Sequence, residues 1–391
     1  MSGRESELPL SPAVRTLAPY PFARLDALRE AVEAKGIRVV DLSIGDIREI
    51  TPEPIRRALV EAVPERSSYP RALGTRALRE AAAGWVARRF GVALDPGVHV
   101  LPTNGSKEAA FTLHLAVVDP GRRPLVLLPD PAYPVYARGT AAAGGIAHPV
   151  PLLAENGFLP DLDAIPADVW RRASILWINY PNNPTGAVAP LEFLVAAAAR
   201  CREHGVLLAG DEPYTEIYYG DPPPSVLQTG CDNVLALHTL SKRSALPGYR
   251  SGFMAGDARL IAALKKFRPA VGVATPGFIQ AAAVAAWSDE THVAAFRETF
   301  RARRDRVVPA LQKIGLPVGT AEATIYLWVR VPGEESSESF VGRALDEGVV
   351  LLPGSAMGER GEGFFRLSLT ADGDDLDLAV ERLARVTAAS G

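Results

Sequence analysis

The chain has 391 residues, 48% of them hydrophobic, and 45 acidic against 42 basic side chains leave a net charge of -3. That length exceeds one ordinary hydrophobic core, so two folding units are expected. Without a basic block or an acidic tail, the charge pattern points neither to nucleic acid nor to a membrane surface. Cys201 and Cys231 are the only cysteines and cannot frame a disulfide scaffold; no Cys/His spacing resembles a metal site. The opening M-S-G-R-E-S-E-L-P is no signal peptide, and no apolar run is long enough to cross a bilayer. A soluble, cytoplasmic protein is expected, with both cysteines as core filling.

Residues 1 to 20 read as a polar, Pro-rich arm, followed by a helix over residues 22–34 stopped at Gly36. V-V-D-L-S-I-G-D-I is a short strand that breaks at Gly45 into a loop. A helix over residues 54–62 leads to the irregular segment S-S-Y-P-R with Tyr69, and Leu/Ala periodicity then predicts a helix up to Phe90. From residue 98 strands alternate with helices. H-V-L-P-T turns at Asn104-Gly105 into a helix, and strands are expected at Leu125, Ser174, Val206, Val234 and Gly252. Such short apolar strands with little alternation are buried on both faces, which predicts an α/β fold with a mostly parallel sheet sandwiched by helices. In these sheets a ligand sits off the carboxyl ends of the strands. A long Ala-rich helical region is expected over residues 276–311. A smaller α+β unit follows, with strands at T-I-Y-L-W-V-R-V and F-F-R-L-S-L and a terminal helix. The division expected is 1–45 for the arm and part of the smaller unit, 46–275 for the larger unit and 276–391 for the smaller.

Polar groups close several of these strands. Ser106 and Lys107 stand at the first turn of a helix, where unpaired N–H groups and the helix dipole suit a phosphate; the same turn can be a plain cap. Tyr133, in D-P-A-Y-P-V-Y, either stacks on a ligand or packs. Asn183, in Y-P-N-N-P-T-G, follows a strand directly, and turn chemistry alone would also account for it. Asp211 closes V-L-L-A-G-D with Glu212 and Tyr214 next. A carboxylate there must be paired, hydrogen-bonded or functional, because a buried unpaired charge is costly.

The run T-L-S-K-R-S-A-L-P-G-Y-R-S-G, from Thr239 to Gly252, brings Lys242 and Arg250 to one edge of a core. A partly desolvated lysine has a lowered pKa and can act as a nucleophile; the alternative is a turn with two solvated cations. Together the lysine, the strand-end carboxylate, the phosphate-ready helix and the aromatic ring meet the needs of pyridoxal 5'-phosphate. That cofactor requires a lysine Schiff base and an anionic partner for its ring nitrogen. The histidines are scattered, and His238 is read as packing.

On N-N-P-T-G, G-D-E-P-Y and S-K-R-S-A-L-P-G-Y-R-S-G, in that order, the chain resembles the class I/II aminotransferases, which are fold-type-I pyridoxal-phosphate enzymes. The resemblance extends from L-S-I-G-D to F-F-R-L-S and implies a seven-stranded sheet in the larger unit. It implies that Lys242 carries the cofactor and moves the substrate proton, that Asp211 pairs with the ring nitrogen and that Tyr133 stacks on the ring. Asn183 and Tyr214 would bond the phenolic oxygen, with Ser106, Lys107, Thr239 and Arg250 on the phosphate. Tyr69 would reach the phosphate of a neighbouring subunit in a homodimer. Arg366 would bind the substrate α-carboxylate, which suits its planar fork, beside Asn183 and under the loop at Gly45. Thr239 stands where the family often has serine, and keeps the hydroxyl.

The implied reaction is a ping-pong amino transfer between glutamate and a 2-oxo acid. The runs L-P-T-N-G-S-K-E-A and A-A-W-S-D-E-T-H-V are similar to those of succinyldiaminopimelate aminotransferases of lysine biosynthesis. Arg48, Arg71, Arg243 and Arg268 are the cations available for a polyanionic substrate. The alternatives are an aminotransferase for aspartate, aromatic acids or unsuccinylated diaminopimelate, or a C–S lyase.

Overall fold

Seven short runs pair into one sheet in the computed structural model, which describes residues 32–388 together with residues 8, 10–15 and 29. The helix expected over residues 22–34 falls largely outside the described residues. The strands are β2 (Val100–Thr103), β3 (Leu125–Asp130), β4 (Ile146–Pro151), β5 (Ala173–Ile178), β6 (Leu207–Asp211), β7 (Val234–Thr239) and β8 (Gly252–Gly256). Their order is β2-β8-β7-β6-β5-β3-β4. β3, β4, β5, β6 and β7 run parallel, and β8 is antiparallel to both of its neighbours. Every residue of β2, β3 and β5 to β8 is buried, as continuous apolar runs require. β4 was not among the expected strands. Its I-A-H-P-V-P is largely exposed and carries two prolines, which a sheet accepts at its edge, where β4 lies.

Register gathers the strand ends. Asp211 is opposite Leu237 on β7, while Thr239 and Thr103 both face Gly252. The ends of β6, β7 and β2 and the start of β8 therefore share one edge, and the loops leaving them share one cavity.

A smaller sheet, β11 (Leu352–Pro353), β12 (Phe364–Ser368) and β9 (Tyr326–Arg330), is antiparallel. Nearby, β1 (Val40–Asp41) runs parallel to β10 (Val349–Val350), so the segment before residue 45 returns to this unit. Leu327, Val329, Phe365 and Leu367 pack there against Phe300, Phe340 and Leu383.

The region over residues 276–311 is two helices, Gly277–Ser288 and Thr291–Lys313, not one. Asp289 is extended, and its carboxylate accepts from the N–H groups of Thr291 (3.1 Å) and His292 (3.5 Å), as a residue at a helix start does. The first of these helices places Ala282, Ala283, Ala286 and Trp287 in the core of the larger sheet. Cys201 is fully buried, whereas Cys231 is only half-buried.

Trp85, on the helix Arg76–Phe90, joins the helices to the sheet. Its ring meets Phe90, His238, Phe253 and Trp287 at centroid distances of 4.7 to 6.0 Å, and its Nε1–H donates to Glu216 at 3.0 Å. Trp85→Ala should cost about 3–5 kcal/mol, read as a lower urea midpoint; an unchanged midpoint would contradict this packing.

Candidate active site

A cavity of about 410 Å³ opens at the shared strand edge, and every expected site residue but Tyr69 lines it. Gly45, Ser106, Lys107, Tyr133, Asn183, Asp211, Tyr214, Thr239, Lys242, Arg250 and Arg366 are brought together from strand ends and loops far apart in sequence. Tyr69 is fully exposed on the surface instead.

Asp211 is buried at the end of β6. Its Oδ2 accepts from the Tyr136 hydroxyl at 2.7 Å, and its main-chain carbonyl accepts from Asn179 Nδ2 at 2.7 Å. Oδ1 is buried with no partner among the described residues. Burial pushes this carboxyl up to about 6, against the lowering effect of the Tyr136 hydrogen bond. Tyr136 in turn stacks on Trp177 at 4.7 Å, and Trp177 Nε1–H donates to His114 Nε2 at 3.0 Å. With Nε2 accepting, His114 is the tautomer whose Nδ1–H donates to the Ala110 carbonyl (2.8 Å), and burial drives its pKa down to about 4.

On the opposite wall, the helix Ser106–Val117 begins after Gly105 with its first N–H groups at the cavity. Gly105 has a φ of +82°, which favours glycine, and a Cβ there would come within 2.8 Å of Arg250 Nη2 and push that guanidinium aside. Arg250 is held by the carbonyls of Pro247 (2.7 Å) and Asn104 (3.1 Å). Thr239 caps the helix Leu240–Arg243, its Oγ1 accepting from Ser241 N–H at 3.2 Å. That short helix carries Lys242, whose Nζ donates to the Gly45 carbonyl. Burial lowers the Lys242 pKa, and the cations Arg366 and Arg250 add to the effect.

Arg366 reaches the cavity from β12. Its Nη1 donates to Asn183 Oδ1 (2.8 Å), its Nη2 to the Ser43 carbonyl (2.6 Å), and its buried Nε has no partner among the described residues. Tyr133 lies edge-on to Tyr136 at 6.1 Å, with Lys107 Nζ 6.0 Å from its ring.

Tyr136, Asn179 and Tyr326 also line the cavity and were missed. Tyr136 follows Tyr133 by three residues, a helical spacing that would have placed both on one face. Asn179 ends the run S-I-L-W-I-N, the same position on its strand that Asp211 has on its own. Of the four arginines considered for a polyanionic substrate, Arg243 is buried against Glu290 (2.7 Å) and Arg268 against Glu108 (2.7 Å), away from the lining. Arg48 and Arg71 are exposed and do not line the cavity.

Residues 37–383 match the family described as aminotransferase class I and II, and the chain belongs to that family. It is a pyridoxal-phosphate-dependent transaminase of amino acids and 2-oxo acids. Among curated relatives, the LL-diaminopimelate aminotransferase of Aquifex aeolicus is 43% identical over 380 residues, 95% of this chain and 98% of that one. LL-diaminopimelate aminotransferase 2 of Nostoc is 43% identical over 94% of this chain and 96% of its own. Among solved structures, substrate-bound BacF of Bacillus subtilis superposes with a TM-score of 0.92 at 30% identity, covering 97% of this chain and 98% of that one. A probable N-succinyldiaminopimelate aminotransferase from Thermus thermophilus has a TM-score of 0.88 at 33% identity, covering 93% and 99%. Among the described residues no helix is long and apolar enough to cross a membrane.

The cavity fits the cofactor. The orphaned Asp211 Oδ1 is an acceptor for a protonated ring nitrogen, the Ser106 helix start and Arg250 supply donors for a phosphate, and Lys242 supplies the amine.

Behind Asp211, Glu212 is buried with Oε1 accepting from Val226 N–H (2.7 Å) and Oε2 3.2 Å from His238. His238 itself packs among Trp85, Phe90 and Phe253. Burial pushes Glu212 from 4.5 up to about 8. A carboxyl with a raised folded-state pKa lends stability that is complete below its unfolded value and is lost as pH rises through the folded one. Glu212 should therefore contribute a loss of stability to the cofactor-free protein as pH rises from 4.5 to about 8, against the opposite contribution of His114 and His238, which burial keeps neutral, and Glu212→Gln should remove that downward contribution to the slope in urea titrations. A variant as steep as its parent would refute the assignment.

Proposed function

We propose that this protein is an LL-diaminopimelate aminotransferase, exchanging the amino group with glutamate and 2-oxoglutarate in a ping-pong cycle. The succinylated substrate expected from sequence runs gives way to the unsuccinylated alternative. The observation that supports this is 43% identity, over nearly the whole length of both chains, to relatives named for that activity. A second reading, N-succinyldiaminopimelate, is favoured by the Thermus thermophilus structure at 33% identity. Neither Arg243 nor Arg268 lies in the cavity to meet a succinyl carboxylate.

In this reading, pyridoxal phosphate supplies the electron sink for the charge that develops when the substrate Cα proton leaves. Asp211 would hold the proton on the ring nitrogen through the oxygen that has no partner among the described residues. Asn183 gives its Oδ1 to Arg366, which leaves Nδ2 as the donor it can offer the phenolic oxygen, beside the Tyr214 hydroxyl. Tyr133, on the cavity wall, would stack on the ring. The N–H groups of Ser106 and Lys107, the Thr239 hydroxyl and Arg250 hold the phosphate. Lys242, its amine kept toward the neutral form by burial, takes the proton from Cα. Arg366 grips the α-carboxylate with Nε and the edge beside it, under the loop at Gly45. Tyr69, exposed on one protomer, completes the phosphate site of a second copy in a homodimer. The larger unit, proposed as residues 46–275, binds the cofactor; residues 276–391 with the arm carry Arg366 over it.

Purified holoenzyme should be mixed with single amino donors and its visible spectrum followed. LL-diaminopimelate and glutamate should react, the former with a kcat/KM about tenfold or more above that of the succinylated compound, since a pocket built for one polar end rejects another. The reverse ranking would restore the succinylated substrate. Pyruvate and ammonia from cystathionine, with no amino acceptor, would make it a lyase. Lys242→Ala should abolish turnover and the visible band together; full activity in that variant would sink the mechanism.

A further inference from the structure

β9 and β12 pair with Trp328 opposite Arg366 and Tyr326 opposite Ser368. Residues two apart on a strand share a face, so Tyr326 and Arg366 are diagonal neighbours, within reach for long side chains. The guanidinium carbon of Arg366 lies 3.9 Å from the centroid of the Tyr326 ring. Both side chains are buried, and a cation over a ring face is held more firmly where water is excluded. The other contacts of Arg366 come from nitrogen donors, to Asn183 Oδ1 and to the Ser43 carbonyl. Those bonds fix which edge of the guanidinium is free. The ring beneath fixes the plane in which that edge points.

The chain reaches Tyr326 in a forced conformation. Thr324 has a φ of +72°, where a β-branched residue is a true outlier. It is held there by its N–H on the Ile217 carbonyl (2.8 Å), by the Tyr219 hydroxyl on its carbonyl (2.6 Å) and by Tyr326 N–H on its Oγ1 (3.1 Å). Strain of this kind survives only where the surroundings over-determine it, and it concentrates at functional sites. On the other side, a Cβ at Gly45 would sit 1.9 Å from the Tyr326 hydroxyl, so the loop is packed directly onto the phenol. The phenol also hydrogen-bonds with Tyr214. Burial alone would raise the Tyr326 pKa, but Arg366, Lys242 and the Tyr214 hydrogen bond together hold it below its ordinary value.

We propose that Tyr326 is a positioning residue for the amino-acid substrate: its ring face is the platform that sets the plane of the Arg366 guanidinium, and so the direction from which an α-carboxylate is gripped. This rests on the reading of Arg366 as the carboxylate ligand, and the experiment separates the two. Pimelate, a seven-carbon dicarboxylate without amino groups, serves as the probe, its Kd measured by calorimetry on the cofactor-free protein. Donor KM and kcat are measured on the holoenzyme.

Tyr326→Phe keeps the platform and should stay within about threefold of the parent in both Kd and KM, while Tyr326→Leu should weaken both by about tenfold or more. Because the carboxylate is gripped throughout the reaction, kcat should move less than KM. Tyr326→Met fills the space without a ring and asks the same question should the leucine variant not fold. Arg366→Gln should weaken pimelate at least as much as Tyr326→Leu. If Arg366→Gln weakens pimelate but Tyr326→Leu and Tyr326→Met do not, the platform is refuted and the Arg366 reading stands. If Tyr326→Phe falls as far as Tyr326→Leu, the hydroxyl and not the ring face is responsible, which also overturns the proposal. If Arg366→Gln leaves pimelate binding unchanged, both fall.

Discussion

A carboxylate at the end of β6 and an amine on the short helix that follows β7 are both withdrawn from water, and burying charge without a partner is costly. The Asp211 carboxylate meets that cost through the Tyr136 hydroxyl, Lys242 through the Gly45 carbonyl. Each arrangement leaves the reactive atom incompletely satisfied. Asp211 keeps one oxygen without a partner among the described residues, and burial holds Lys242 toward its neutral form. A ligand carrying a protonated ring nitrogen and an aldehyde answers both at once, which is why cofactor chemistry and local electrostatics agree here.

The groups that enforce this lie behind the cavity. Tyr136 is fixed by stacking on Trp177, and Trp177 by its bond to a neutral His114. Next to Lys242, Arg243 is buried and donates to the Ala286 carbonyl (2.6 Å) and Glu290 (2.7 Å). Glu216 draws Trp85 and Arg297 together at 3.0 and 3.1 Å. Arg243 and Glu216 are buried ions held by several partners, whose value lies more in fixing one arrangement than in net stability. They immobilise the helices and loops on which the cofactor residues stand.

The second half of the site comes from the smaller sheet. Arg366 on β12 bonds Asn183 of the larger unit and Ser43 of the opening loop, so one guanidinium joins three separate stretches of chain. Tyr326 and Gly45 pack on that junction, where a Cβ at Gly45 would collide with the Tyr326 hydroxyl. In the proposed reading, substrate recognition is thus a property of the seam between the two sheets, whereas cofactor binding belongs to the strand ends of one.

Much of this was legible from residue order. Apolar runs without alternation dictate strands buried on both faces, and the polar residue that closes each run must then emerge at a sheet edge; Asp211 and Thr239, the last residues of β6 and β7, follow from that, whereas Asn183 and Lys242 lie beyond their strands and were singled out by the resemblance to the family. β4 was hidden because an edge strand is half-solvated and tolerates proline, so it lacks the buried-strand signature. The break at Asp289 was hidden because alanine periodicity on either side overrides one capping residue. Tertiary structure alone decided that Arg243 and Arg268 turn inward to carboxylates and that Tyr136 supports Asp211. It alone decided, too, that Arg366 lies on the face of Tyr326. The reason is physical: what closes a strand is set by the chain locally, but where a long side chain finds its partner depends on register and packing between segments far apart in sequence.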